Sequence, residues 1–140
     1  MRILAVLLLI FSIHSHADTL DNTFNQIETE WADIHYRLPS EQKATAYQRL
    51  LTKTEILAKQ YPNTAGLLFW QAVVKASLAD HQDPVSALQA IFHVKELLNQ
   101  AIALDPSAFN GSAYVVLGVL YHEAPPVLSR LAMTMPPKAI

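Results

Sequence analysis

The stretch YVVLGVLY, residues 114–121, together with LLNQAIALDP, residues 97–106, decides how this chain reads. In the first stretch two aromatics, Tyr114 and Tyr121, bracket Leu117 and the small Gly118. On a helix these positions lie close together, and a residue without a side chain lets a neighbouring helix approach while the large ones flank the contact. In the second, Leu98, Ala101 and Leu104 recur every three residues until Asp105-Pro106, a pair that cannot continue a helix. The two stretches thus predict consecutive helices with a sharp break between them.

Working outward, the same periodicity fills the chain upstream. Leu20, Phe24, Ile27, Trp31, Ile34 and Leu38 recur at spacings of three and four, which puts one apolar stripe on a helix closed by Pro39. Ser40 is placed to cap a second helix from about Glu41 to Gln60, whose stripe runs through Ala44, Tyr47, Leu50, Leu51, Thr54, Leu57 and Tyr61. After Pro62, Asn63 or Thr64 caps a third helix, Ala65 to about Ala79, with Leu68, Phe69, Ala72, Val73 and Ala76 apolar and Gln71 and Lys75 not. Asp83-Pro84 is a strong start signal, because proline at the first helical position gives up an N–H that has no partner there. The fourth helix runs to about Leu104 and is expected to bury Leu88, Ile91, Phe92, Lys95, Leu98, Ala101 and Ile102. Asn110 or Ser112 opens a fifth, through about His122. No strand-type alternation competes, so the expected class is all-α, with antiparallel hairpins joined by short turns.

The amino terminus reads as an export signal. Arg2 is followed by Ile3 to Phe11 without a polar residue, and Ser15-His16-Ala17 supplies small residues before a cut after Ala17. A spanning helix needs roughly 20 apolar residues, about twice this run. Loss of seventeen residues, Arg2 among them, leaves 123 of the 140 and a formal charge of −3 in place of −2. The 51% apolar share of the whole chain is raised by this leader. The division expected is 1–17 signal peptide, 18–124 helical domain and 125–140 irregular proline-rich tail.

Composition narrows the function classes. Without cysteine there is no thiol catalysis, disulfide, cysteine-type zinc site or iron–sulfur cluster. Ten basic against twelve acidic residues give no footprint for nucleic acid. Gly66, Gly111 and Gly118 stand too far apart to build a phosphate loop. Of six histidines, His14 and His16 leave with the leader, and His35, His81, His93 and His122 fall on four segments without metal-ligand spacing. Glu30 and Asp33, three apart beside Arg37, read as a solvated face rather than paired catalytic acids. Ser77, Ser86 and Ser112 lack a nucleophile elbow. The expectation is therefore no catalytic residue, no cofactor and no metal. Trp31, Tyr47, Trp70 and Phe92, with Tyr36 nearby, are the aromatic residues able to line an apolar pocket between helices, although helical stripes mostly use aromatics as core.

Tyr114, Leu117, Gly118 and Tyr121 resemble the first-helix signature of a tetratricopeptide repeat, and Leu98, Ala101 and Pro106 fit the second helix and terminal proline of the repeat before it. Pro62 to Pro106 spans 44 residues, against about 34 for one repeat, so the third and fourth helices form a lengthened hairpin. With the leader, the Trp31 helix, LLFWQAVVKASLADHQD (67–83) and GSAYVVLGVLYHEAP (111–125), the chain resembles exported proteobacterial tetratricopeptide-like proteins related to the T component of tripartite ATP-independent periplasmic (TRAP) transporters. That resemblance implies a non-catalytic periplasmic scaffold with a protein or peptide partner, accessory to a solute-binding or transport system, without nucleic acid and without membrane contact in its mature form. The alternative it leaves is a carrier of small apolar ligands. In a repeat array each hairpin packs only on its neighbours, so an uncapped end exposes an apolar face.

The family pattern continues past Tyr121 with a Pro-Gly-Trp-Pro turn and a Phe-Gly-Asp stretch, whereas four prolines fall within 125–140 here. Read from the third base of each codon, Met133-Thr134 gives Asp and Met135-Pro136 gives Ala, because methionine has a single codon. Leu131-Ala132 gives Gly if the leucine codon ends in G. The shifted tail then spells a Gly-Asp-like run, and the expectation is a frameshift from about Pro126 that cuts the array after one helix of its last hairpin.

Overall fold

The computed structural model describes residues 2–123, with side chains from residue 19 onward. The expected tail, 125–140, and its frameshift lie outside the described residues, as do the side chains of the leader. Five α-helices follow one another: α1 (Arg2–Arg37), α2 (Ser40–Gln60), α3 (Ala65–Ala79), α4 (Pro84–Leu104) and α5 (Ser112–Glu123), with a short 3-10 turn (Ala108–Gly111) before the last. There is no strand among the described residues. None of their helices is long and apolar enough to cross a membrane.

Local chemistry sets most of the boundaries. Asp83 accepts hydrogen bonds on Oδ1 from Val85 N (3.1 Å) and Ser86 N (3.0 Å), satisfying two donors of the first turn of α4, and Pro84 takes the first helical position. At the other end Asp105 leaves the helix in an extended conformation, and its Oδ1 accepts from Ser107 N (2.9 Å) and Ser107 Oγ (2.7 Å) across Pro106. Ser40 does not cap α2. Pro39, at φ −58° and ψ 147°, precedes the helix and Ser40 is already inside it, so its hydroxyl has no free turn to accept from. Thr64 stands before α3 as expected but makes no side-chain bond there.

The core is built around α3, which packs against α1, α2 and α4. Leu67, Phe69, Trp70, Ala72, Val74 and Leu78 are buried there, and so is the polar Gln71. A helix wrapped on several sides is apolar nearly all round, which blurs its stripe. Of the six-residue stripe, Ile27 and Ile34 are fully or nearly buried, and Phe24, Trp31 and, just past the end of α1, Leu38 pack against this core. Tyr47, Leu50, Leu51 and Thr54 of α2 are buried, the Thr54 hydroxyl donating to Leu51 O at 2.7 Å. The buried side of α4 agrees with the expected one at Leu98 and Ala101 and differs elsewhere: Ala90, Val94 and Leu97 are inside, whereas Leu88, Ile91, Phe92, Lys95 and Ile102 are only half-buried. At about 100° per residue this is a rotation of roughly a quarter-turn. The small Ala90, Val94 and Ala101 let α3 and α5 approach, which outweighs covering the bulkier row.

Candidate interaction surfaces and the aromatic seam

Two surfaces of the described helices differ in chemistry. Between α1 and α2 a groove of about 1120 Å³ is lined largely by polar side chains, among them Asn22, Asn25, Gln26, Thr29, Gln42 and Thr45. Lys53 of α2 pairs with Glu30 of α1 at 2.8 Å in this groove, and Arg37 pairs with Asp33 one turn along α1 at 2.9 Å. Glu30 and Asp33 therefore serve separate ion pairs on an exposed face. Both pairs are solvated and contribute at most about 1 kcal/mol each.

The last helix, α5, buries Ala113 and Leu117, and packs Val116, Leu120 and Tyr121 on the core. Its outer side carries Tyr114, Val115 and Val119 at 54%, 66% and 55% exposure. A Cβ placed on Gly118 would meet nothing within 4 Å. The expected packing set is thus divided: Leu98, Ala101 and Leu117 are buried and Tyr121 rests on the core, while Pro106 lies exposed in the turn and Tyr114 and Gly118 face outward. No described residue occupies the close approach that Gly118 permits.

Between α1 and α3 runs a seam of rings. Phe24 meets Phe109 edge-on (5.2 Å), Phe109 meets Phe69 (5.2 Å) and Trp70 (6.3 Å), and Trp70 meets Trp31 (6.3 Å). His35 stacks on Trp31 at 4.8 Å, and its Nδ1 lies 3.0 Å from the Tyr47 hydroxyl. Trp31 Nε1 donates to Ser77 Oγ (2.9 Å), which in turn donates to Val73 O (3.0 Å). Burial, opposed by a hydrogen bond with Ser77, pushes the Tyr47 phenol above its ordinary value. His81 packs its ring 5.9 Å from Tyr47, so two histidines from distant segments flank one tyrosine. Desolvation, followed by the nearby Lys75, pushes the His93 imidazole down.

Trp31, Tyr47 and Trp70 therefore share one network. Phe92 is half-buried on α4 and makes no ring contact with them among the described residues. Phe109, which no periodicity singled out, takes its place at the centre of the seam. The missed signal was Asn110-Gly111, a pair suited to left-handed backbone: Phe109, Asn110 and Gly111 have φ of 50°, 56° and 77°. One polar atom is left over. Trp70 is 7% exposed and its Nε1–H has no partner, an omission that ordinarily costs about 1–3 kcal/mol. No group of three or more His, Asp or Glu side chains among the described residues is placed to hold a metal ion.

Compared with known proteins, the chain matches no family model, no curated protein and no solved structure.

Proposed function

We propose that this protein is an exported, non-catalytic scaffold of tetratricopeptide type that engages a protein or peptide partner in the periplasm. The observation that carries the reading is the asymmetry of the stack. Its α1–α2 end is dressed in amides, hydroxyls and ion pairs, as a terminal repeat requires for solubility. Its α5 end presents Tyr114, Val115 and Val119 around a glycine with open space above it, as an internal repeat does. The helix order, with α3 packed on both of its flanking helices, supports the reading as stacked hairpins. The leader supports the compartment by its length, its basic start and its small residues before Asp18.

The test has two parts. Mass spectrometry of protein recovered from osmotic-shock fluid is expected to find a mature chain beginning at Asp18. Cross-linked capture with the mature protein is then compared between the wild type and Val115→Lys/Val119→Lys, and a specific partner is expected to be lost from the double variant. Full retention of the leader in the membrane fraction, or capture indifferent to α5, would overturn the reading.

A further inference from the structure

Solubility asks for polar groups on the α1–α2 face, but it does not ask for them to line a groove of about 1120 Å³. Lys43 Nζ donates to His35 O (2.7 Å) and Lys53 Nζ to Glu30 Oε2 (2.8 Å), so the two helices run antiparallel, and residues 41–49 of α2 lie along residues 30–38 of the first hairpin arm. In this half of the groove the charges sort themselves. Glu30 is paired with Lys53 and Asp33 with Arg37, and each pair cancels. Glu41 and Arg49 also line the groove, are exposed, and make no ion pair among the described residues. Along α2 the two are separated by about 12 Å.

Between these opposite charges stand Gln42 and Thr45, whose side chains make no hydrogen bond with another described residue. An amide both donates and accepts, and a hydroxyl does the same, which is what the N–H and C=O groups of a peptide main chain require. Ile34, Leu38 and Ala46 add apolar lining in the same half, room for small apolar side chains. An extended chain of about four residues reaches about 13–14 Å. At neutral pH its free ends are an ammonium and a carboxylate. We propose that this groove binds a short peptide with both termini free, about four residues long, its ammonium at Glu41, its carboxylate at Arg49 and its main chain on Gln42 and Thr45. A sugar chain of the same length brings neither charge, and no aromatic ring is among the lining residues to stack on it. Nothing in this inference depends on α5 or on a protein partner, so it stands or falls apart from the scaffold reading.

Nitrogen-15 NMR of the full chain at neutral pH, titrated separately with tetra-alanine, its N-acetyl form, its C-terminal amide, dialanine and maltotetraose, tests it. The amide resonances of residues 41–49 are expected to move with tetra-alanine. Each blocked form is expected to bind about two- to fivefold more weakly, the worth of one exposed ion pair. Dialanine, too short to reach both charges, and maltotetraose are expected to bind more weakly still. Glu41→Gln is expected to weaken tetra-alanine by the same factor without further weakening the N-acetyl form, and Arg49→Gln to do so without further weakening the amide. Resonances that stay in place at millimolar tetra-alanine, equal affinities for the free and blocked peptides, or maltotetraose binding as well as tetra-alanine would overturn the proposal. Variants that weaken free and blocked peptides alike would overturn it too. Both substituted positions are exposed, and should either variant still fail to fold, the five titrations of the wild type decide the matter alone.

Discussion

Gly66 on α3 and Phe24 on α1 fit so closely that a single methyl group on the glycine would lie 2.5 Å from the tip of the phenylalanine ring. Phe109 packs edge-on against that ring and its own edge would lie 3.0 Å from the methyl group, so the space around the glycine is closed by two rings. Alanine would normally be favoured over glycine inside a helix by about 1 kcal/mol. Here the clash is expected to win, and Gly66→Ala should destabilise the protein by about 1–3 kcal/mol in thermal or urea unfolding. In a Phe24→Leu background the same change should become neutral or stabilising. Equal losses in both backgrounds would show that the ring is not the obstacle.

The first turn of α4 depends on an ionised Asp83, whose carboxyl is held below its usual range chiefly by the Ser86 hydroxyl and the backbone N–H groups. A folded pKa below the unfolded one adds stability that is present above the unfolded value and is lost as pH falls through the folded one. Asp83→Ala is therefore expected to lower the melting temperature at pH 7, with the gap from wild type closing below about pH 4. A gap that does not change between pH 7 and pH 3 would contradict this account of the cap.

Much of this was legible in the order of residues. Asp83-Pro84 and Asp105-Pro106 mark their boundaries because caps and prolines act locally, and the α1 stripe from Leu20 to Leu38 has charged residues opposite to define it. The face of α4 was not legible, since Leu88, Ile91 and Phe92 are as apolar as Ala90, Val94 and Leu97, and only shape decides between two apolar sides. The aromatic seam was half legible. Trp31 and Trp70 lie on stripes, whereas Phe109 sits in a turn, where no period reveals that its ring faces inward.

On α5 two substitutions should separate burial from exposure. Leu117→Ala removes a buried side chain and is expected to cost about 2–5 kcal/mol in chemical denaturation. Val119→Ser, one turn away from Val115 on the open side, should fall within about 0.5 kcal/mol of wild type. A large loss from the serine variant would mean that this side is covered in solution.

Ser77 Oγ accepts a hydrogen bond from the Trp31 N–H and donates one to Val73 O. Ser77→Ala leaves that indole donor unpaired at a half-buried position, and a loss of about 1–3 kcal/mol is expected. Ser77→Thr keeps the hydroxyl and should recover part of it. Comparable stabilities of the alanine variant and wild type would show that water replaces the serine.

The burial of α3 by α1, α2 and α4 has a consequence for how the molecule comes apart. No pair of neighbouring helices can leave without baring Leu67, Val74 or Trp70, so opening is a single collective event for the first four helices. Amide protons of α3 are accordingly expected to exchange with solvent only through global unfolding, whereas those of α5, whose Tyr114, Val115 and Val119 are exposed, exchange through a cheaper local opening. The molecule has a slow centre and one fast edge.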